Sequence, residues 1–216
     1  MSGDKEGLAL AGKLARFVMK EKMWQAKDKS PWIYGPDHAQ SDGHHHGVCI
    51  ALRGLLEYGH AANDPRATEF VRNGFEFARS RGLGRLGNFS CHVWGPQTEI
   101  CTIADMVALA IRLSDYGAGD YWDDADSIIR NHLVESQFID RDIMRRLARA
   151  AVEQPEAWKG YNLSLGRGPK QWAAWDQRLG KTHNTDNVLE RTVGNFAAFA
   201  LPTTLPYPGT AGCCTG

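Results

Sequence analysis

Two consecutive stretches share one internal plan, and that repetition limits the fold more than any single residue does. Residues 43–82 carry an apolar stripe at Val48, Ala51, Leu52, Leu55 and Leu56, then a second at Phe70, Val71, Gly74, Phe75 and Phe77. Spacings of three and four residues predict helices. Asn63, Asp64 and Pro65 between the stripes mark a helix start with proline near the first helical position. Residues 98–138 repeat the plan, with Ile103, Met106, Val107, Ala110, Ile111 and Leu113 answered by Trp122, Ala125, Ile128, Ile129 and Leu133 around Gly117 and Gly119. Superposing Leu56-Glu57-Tyr58-Gly59 on Ser114-Asp115-Tyr116-Gly117 sets the offset at 58 residues, the difference between Tyr58 and Tyr116. The repeating unit is a helix pair, so the expectation is an all-α chain of αα-hairpins, part of a helical toroid or solenoid.

The flanks are less regular. Asp4 is placed to cap a helix reaching about Trp24, with Leu8, Leu10, Leu14, Phe17 and Val18 as its apolar face. Residues 27–45 contain Pro31, Pro36 and two glycines and predict a long loop carrying Trp32 and Tyr34. A helix from Asp140 to Glu153 is predicted from Ile143, Leu147, Ala150 and Ala151; residues 155–187 and 192–216 predict loops, with a short helix near Asp186 to Thr192. Residues 1–216 are taken as one partial domain, with too few pairs to close a toroid. A missing C-terminal portion or a homo-oligomer would then cover the open edge.

Lys and Arg number 25 and Asp and Glu 25, so no net positive field draws in a nucleic acid or an anionic membrane surface. No apolar run approaches the roughly 20 residues of a membrane span, and the opening MSGDKEG lacks signal-peptide order. Five cysteines in a chain of this size predict reduced thiols and a cytoplasmic location.

Three groups can carry chemistry. Glu99 and Cys101 open the second hairpin, Cys213 and Cys214 are adjacent near the last residue, and His44-His45-His46 open the first hairpin. Glu99, Cys101, Cys213 and Cys214 together offer one carboxylate and three thiolates, a set suited to Zn²⁺ and unsuited to Ca²⁺ or Mg²⁺. Each group also has a plain reading: a helix-start carboxylate, core thiols, a solvated histidine loop. Leading helices of a toroid share a direction, so the His44–His46 and Glu99–Cys101 groups should open on one end. Trp32, Tyr34, Trp94, Trp172 and Trp175 are available to stack on sugar rings. His92 and Trp94, in the segment leading to Glu99, are the aromatic residues expected in the cleft; Cys91 is either a further thiol there or inert packing.

The segments TEICTIADM (98–106), VGNFAAFALP (193–202) and GCCTG (212–216) resemble the beta-L-arabinofuranosidase-like glycosidases, glycoside hydrolase family 127 and its relatives. The resemblance covers residues 44–138 and 190–216. It implies an (α/α)6 toroid, incomplete here, and a zinc bound by Glu99, Cys101, Cys213 and Cys214. It further implies that Cys213 is the thiolate nucleophile of a retaining hydrolase, a carbohydrate substrate, and histidines such as His44 and His46 on sugar hydroxyls. Such a thiolate would displace the aglycone and leave a thioglycosyl intermediate for water to resolve. Ile100 replaces the middle Thr of the Glu-Thr-Cys motif. Leu83 stands where the family places its acid/base glutamate, and no Asp or Glu occurs from Phe77 to Thr98. Asp37, Asp42 or a protonated His44, His46 or His92 are left for that role. The departure keeps two other readings open: a non-catalytic, glycan-binding toroid with a structural zinc, and an inactive fragment.

Overall fold

The computed structural model describes residues 4–20, 43–91, 98–146, 190 and 193–196. These residues are mainly helical, with isolated bridges and no strand among them. They fall into two compact units, one running to Ser136 and rejoined by Phe196, the other within Gln137–Asn195.

In the first unit, α1 (Lys5–Val18) starts at Asp4, whose carboxylate accepts the Glu6 and Gly7 N–H groups at 3.0 Å. The first hairpin is α2 (His45–Ala62) and α3 (Pro65–Arg81). Its turn follows the predicted signals: Asn63 takes the left-handed conformation at φ 52°, and Asp64 caps α3 through the N–H groups of Arg66 and Ala67. The second hairpin is α4 (Ile100–Asp115) and α5 (Trp122–Ile128), the latter continuing through a π turn, Ile129–Leu133, and a 3₁₀ turn, Val134–Ser136.

The leading helices α2 and α4 lie side by side and parallel. His44 meets Glu99 near their N-termini, Arg53 meets Asp105 further along, and Glu57 meets Tyr116 toward their ends, where His60 stacks on Tyr116 at 3.7 Å. These hydrogen-bonded partners lie 52 to 59 residues apart, bracketing the repeat offset. The core between the hairpins is built from Leu52, Leu56, Val71, Phe75, Ile103, Met106, Leu109, Leu113 and Ile128, all within 2% of full burial. The described residues thus contain two helix hairpins whose leading helices run parallel.

Two details differ from the sequence expectation. Helix α1 ends at Val18, and its large apolar residues face outward: Leu8, Leu10, Leu14 and Phe17 are exposed while Gly12 and Ala15 are buried. Small residues let this helix approach α2, where a Cβ on Gly12 would meet the Tyr58 hydroxyl at 3.1 Å. On α5, Trp122 is half exposed, and within the π turn that follows His132 is buried instead of Leu133. One extra residue per π turn shifts which face points inward. His132 donates through Nδ1 to the Gly87 carbonyl at 3.0 Å, and Gly87, at φ 64°, lies so close to Ile128 that a Cβ would sit 2.8 Å from its backbone.

Gly59 marks the closest approach of α2 to α3, because a Cβ there would lie 2.9 Å from Thr68 Oγ1 and 3.2 Å from the Ala67 Cβ. Gly59→Ala is expected to cost about 1 to 2 kcal/mol, the overpacking penalty exceeding the gain in helix propensity. Urea unfolding checks this. Across the core, Tyr121 donates to Glu76 Oε1 at 2.8 Å and sets its ring edge-on to Phe75 at 4.7 Å. Burial, then the bond to Glu76, push its phenol up to about 12. Because the folded value exceeds the unfolded one, the associated stability is complete below pH ~10 and is lost as pH rises toward 12. Stability of Tyr121→Phe, measured over this range, should fall less steeply than wild type.

Within the second unit, the Phe138 N–H donates to the Asn195 carbonyl and the Gly194 N–H to the Phe138 carbonyl, both at 2.7 Å. Residues 141–146 are helical, as predicted, and the Asp140 carboxylate accepts the Asp142 and Ile143 N–H groups at their start. The remainder of that predicted helix, and nearly all of residues 155–216, lie outside the described residues.

Candidate metal centre

His44 and Glu99 occupy equivalent positions, each the residue that precedes the first turn of a leading helix. Neither side chain caps its own helix. They turn to each other instead, His44 Nε2 to Glu99 Oε2 at 2.7 Å. The third member is Cys91, whose thiol donates to the same carboxylate oxygen at 3.3 Å. Its position is fixed by the return of the chain after α3: Ser90 pairs with Thr98, and the His45 N–H donates to the Cys91 carbonyl at 2.8 Å. His45 is buried and donates through Nδ1 to the Ser90 carbonyl at 3.1 Å. Burial holds its pKa below the ordinary value, against the pull of that carbonyl and of Asp105.

Glu99 is 5% exposed. Burial alone would raise its pKa, but hydrogen bonds from His44 and Cys91, the His44 charge and a further bond from Cys101 outweigh it and hold the carboxyl below its usual value. The N-terminal ends of two parallel helices favour the same negative charge. The carboxylate is thus ionised in a buried place and surrounded by groups that donate to it. The Cys91 thiol is pushed the other way, to about 12, by burial and then by its bond to Glu99.

Further along the same interface, Asp105 receives His46 Nδ1 at 2.6 Å on one oxygen and Arg53 at 2.7 Å on the other. Asp105 is 2% exposed. The pair fixes the His46 ring edge-on to His44, with centroids 5.8 Å apart. The three consecutive histidines therefore do three different things: His44 reaches Glu99, His45 pins the Ser90–Cys91 segment, and His46 ties α2 to α4 through Asp105.

Of the expected site residues, Glu99, Cys101 and His44 come together, with His46 beside them. Cys213, Cys214, His92 and Trp94 lie outside the described residues, as do Trp32, Tyr34, Trp172 and Trp175. Cys91, which the sequence left open, belongs to the cluster. Asp105 and Arg53 were not anticipated, although Asp105 is the only acid from Ile100 to Leu113, a run otherwise apolar except for Thr102 and Arg112. A lone carboxylate on the buried face of a helix calls for a partner.

One donor atom each from His44, Cys91 and Glu99 lies within 4.8 Å of the others, so this group can hold a metal ion. The donor set is mixed nitrogen, sulfur and oxygen, which matches borderline-soft transition ions and not the all-oxygen shells of Ca²⁺ or Mg²⁺. Among the described residues no helix is long and apolar enough to cross a membrane, and Cys49, Cys91 and Cys101 are buried and not joined in disulfides. No protein-family description, curated protein or solved structure matches the chain.

Proposed function

We propose that this chain is a zinc-dependent glycoside hydrolase-like domain, part of an (α/α)6 toroid in a reducing, cytoplasmic setting, with Glu99 anchoring the metal. The observation that carries the reading is Glu99 itself: a buried, ionised carboxylate contacted by an imidazole and two thiols where two parallel helices begin. The sulfur and nitrogen donors favour zinc over harder ions. Support for a carbohydrate substrate comes from the resemblance of residues 98–106 and 212–216 to arabinofuranosidase-like glycosidases, with Cys101, Cys213 and Cys214 as thiolate ligands and Cys213 as nucleophile. Zinc in such a site keeps a thiol ionised near neutral pH while moderating its basicity. The chain's own residues do the positioning. Glu99 holds charge at the helix mouths, Asp105 orients His46, and His44, half exposed, stands at the opening where a sugar hydroxyl would arrive.

A second reading, a structural zinc in a glycan-binding toroid, draws on one observation. Leu83, at the position of the expected acid/base, is apolar and 60% exposed at the end of α3. The test is hydrolysis of a panel of nitrophenyl arabinofuranosides and pyranosides by zinc-loaded, reduced protein. Release of nitrophenol that is lost on chelation, restored by zinc and absent in Glu99→Gln is the expected result. A folded, zinc-loaded protein that releases none from any member of the panel contradicts the catalytic reading and leaves the structural one.

A further inference from the structure

We infer that His44, Cys91 and Glu99 form a three-ligand zinc site by themselves, assembled by the first two hairpins and the chain between them without the Cys213–Cys214 pair. The inference rests on Glu99 anchoring a metal, as proposed above, and stands as an alternative to the ligand set implied by the resemblance: one thiolate and an imidazole take the place of three thiolates, His44 is a ligand, and Cys213 is then not bound to the metal.

The present contacts are those of a site whose metal place is taken by protons. His44 and Cys91 both point at Glu99 Oε2, at 2.7 and 3.3 Å, through what must be an N–H and an S–H. A metal ion replaces both bridging protons with one positive centre. Around a tetrahedral zinc, nitrogen and oxygen ligands stand about 3.4 Å apart and sulfur and oxygen about 3.6 Å apart. The His44–Glu99 pair has to open by about 0.7 Å and the Cys91–Glu99 pair by about 0.3 Å, and half-exposed His44 can supply the larger movement by rotating outward.

The backbone already holds the other two donors. Cys91 is anchored by its carbonyl to the His45 N–H, and Glu99 leads into a buried first turn, where the N–H groups of Thr102 and Ile103 approach its carbonyl at 3.1 and 3.3 Å. Ligands come from three separated places in the chain, so the site closes the top of the α2–α4 interface. Three protein ligands leave a fourth position for water or a small anionic or hydroxylic ligand.

The experiment uses the full reduced chain, stripped by chelator and titrated with Co²⁺ and then Zn²⁺, with zinc-edge X-ray absorption on the loaded protein. Variants are His44→Ala, Cys91→Ser and the double change Cys213→Ser with Cys214→Ser, each checked for wild-type helical circular dichroism. One sulfur in the zinc shell is expected, together with a thiolate-to-cobalt charge-transfer band that the double variant keeps and Cys91→Ser loses. His44→Ala, at a half-exposed position that leaves the core intact, should weaken zinc binding by at least about tenfold, the scale set by loss of even a supporting partner. Loss of the band in the double variant, with or without its loss in Cys91→Ser, overturns this inference. Three sulfurs with the band kept in Cys91→Ser do the same while leaving the Glu99–Cys101–Cys213–Cys214 set standing. A wild-type chain that binds neither ion overturns both. One-sulfur binding supports this inference and contradicts a zinc-bound Cys213 nucleophile, and the absence of hydrolysis of any glycoside contradicts the catalytic reading as a whole.

Discussion

Asp105→Ala is expected to cost about 3 kcal/mol of folding stability, read as a fall in the urea midpoint at unchanged slope. The carboxylate is 2% exposed and each of its oxygens is occupied, one by Arg53 at 2.7 Å and one by His46 at 2.6 Å. Removing one partner of a buried pair typically costs about 3 to 5 kcal/mol, because the remaining charge stays desolvated. Here the remaining cation is a half-exposed arginine that can turn to water, which places the loss at the lower end. Asp105→Asn keeps the shape and one acceptor but gives up the charge, so about 1.5 kcal/mol is expected, half the alanine effect. Equal losses in the two variants would show that packing, not charge, is what Asp105 contributes. The same change should also loosen the metal centre, because Asp105 fixes His46, and His46 packs edge-on to His44.

Phe75→Ala should cost more, about 4 kcal/mol. Phe75 is fully buried on α3, and its ring meets Tyr121 at the entrance of α5, so it joins the returning helices of both hairpins. The cavity left by a phenyl ring cannot collapse when the surrounding residues are held by Tyr121–Glu76 and the α2–α3 approach at Gly59. A chain of this kind has about 5 to 15 kcal/mol to lose, so a large part of its stability should go. Phe17→Ala, on the outward face of α1 at 46% exposure, should change stability by no more than about 0.5 kcal/mol. A comparable loss at Phe17 would mean that the outward-facing side of α1 is buried in solution.

What could be read from residues alone follows from periodicity. The two hairpins were legible because a 58-residue offset aligns both stripes and both turns, and it also predicted that the mouths of α2 and α4 open together, which the His44–Glu99 contact bears out. Helix α1 defeated the same logic. Its leucines look like a core stripe, yet its neighbour accepts the smaller Gly12–Ala15 face, and a single helix carries no information on which face its partner admits. Cys91 was legible only as a thiol near the cleft, since its place depends on a bridge between Ser90 and Thr98 and on a backbone bond from His45. No local pattern encodes either. Asp105 did carry a signal, a lone acid in an apolar helix, but its partners lie 52 and 59 residues away and only the hairpin register identifies them.

The claim on which the rest depends is that Glu99 anchors a metal at the meeting of two helix mouths. Elemental mass spectrometry on purified, reduced, full-length protein tests it most directly, with Glu99→Gln as the comparison because glutamine keeps the volume of the buried side chain. One zinc per chain in the wild type, and almost none in a Glu99→Gln protein of unchanged helix content, is the expected result. A folded wild type without zinc, or a Glu99→Gln protein that retains a full equivalent, would contradict it.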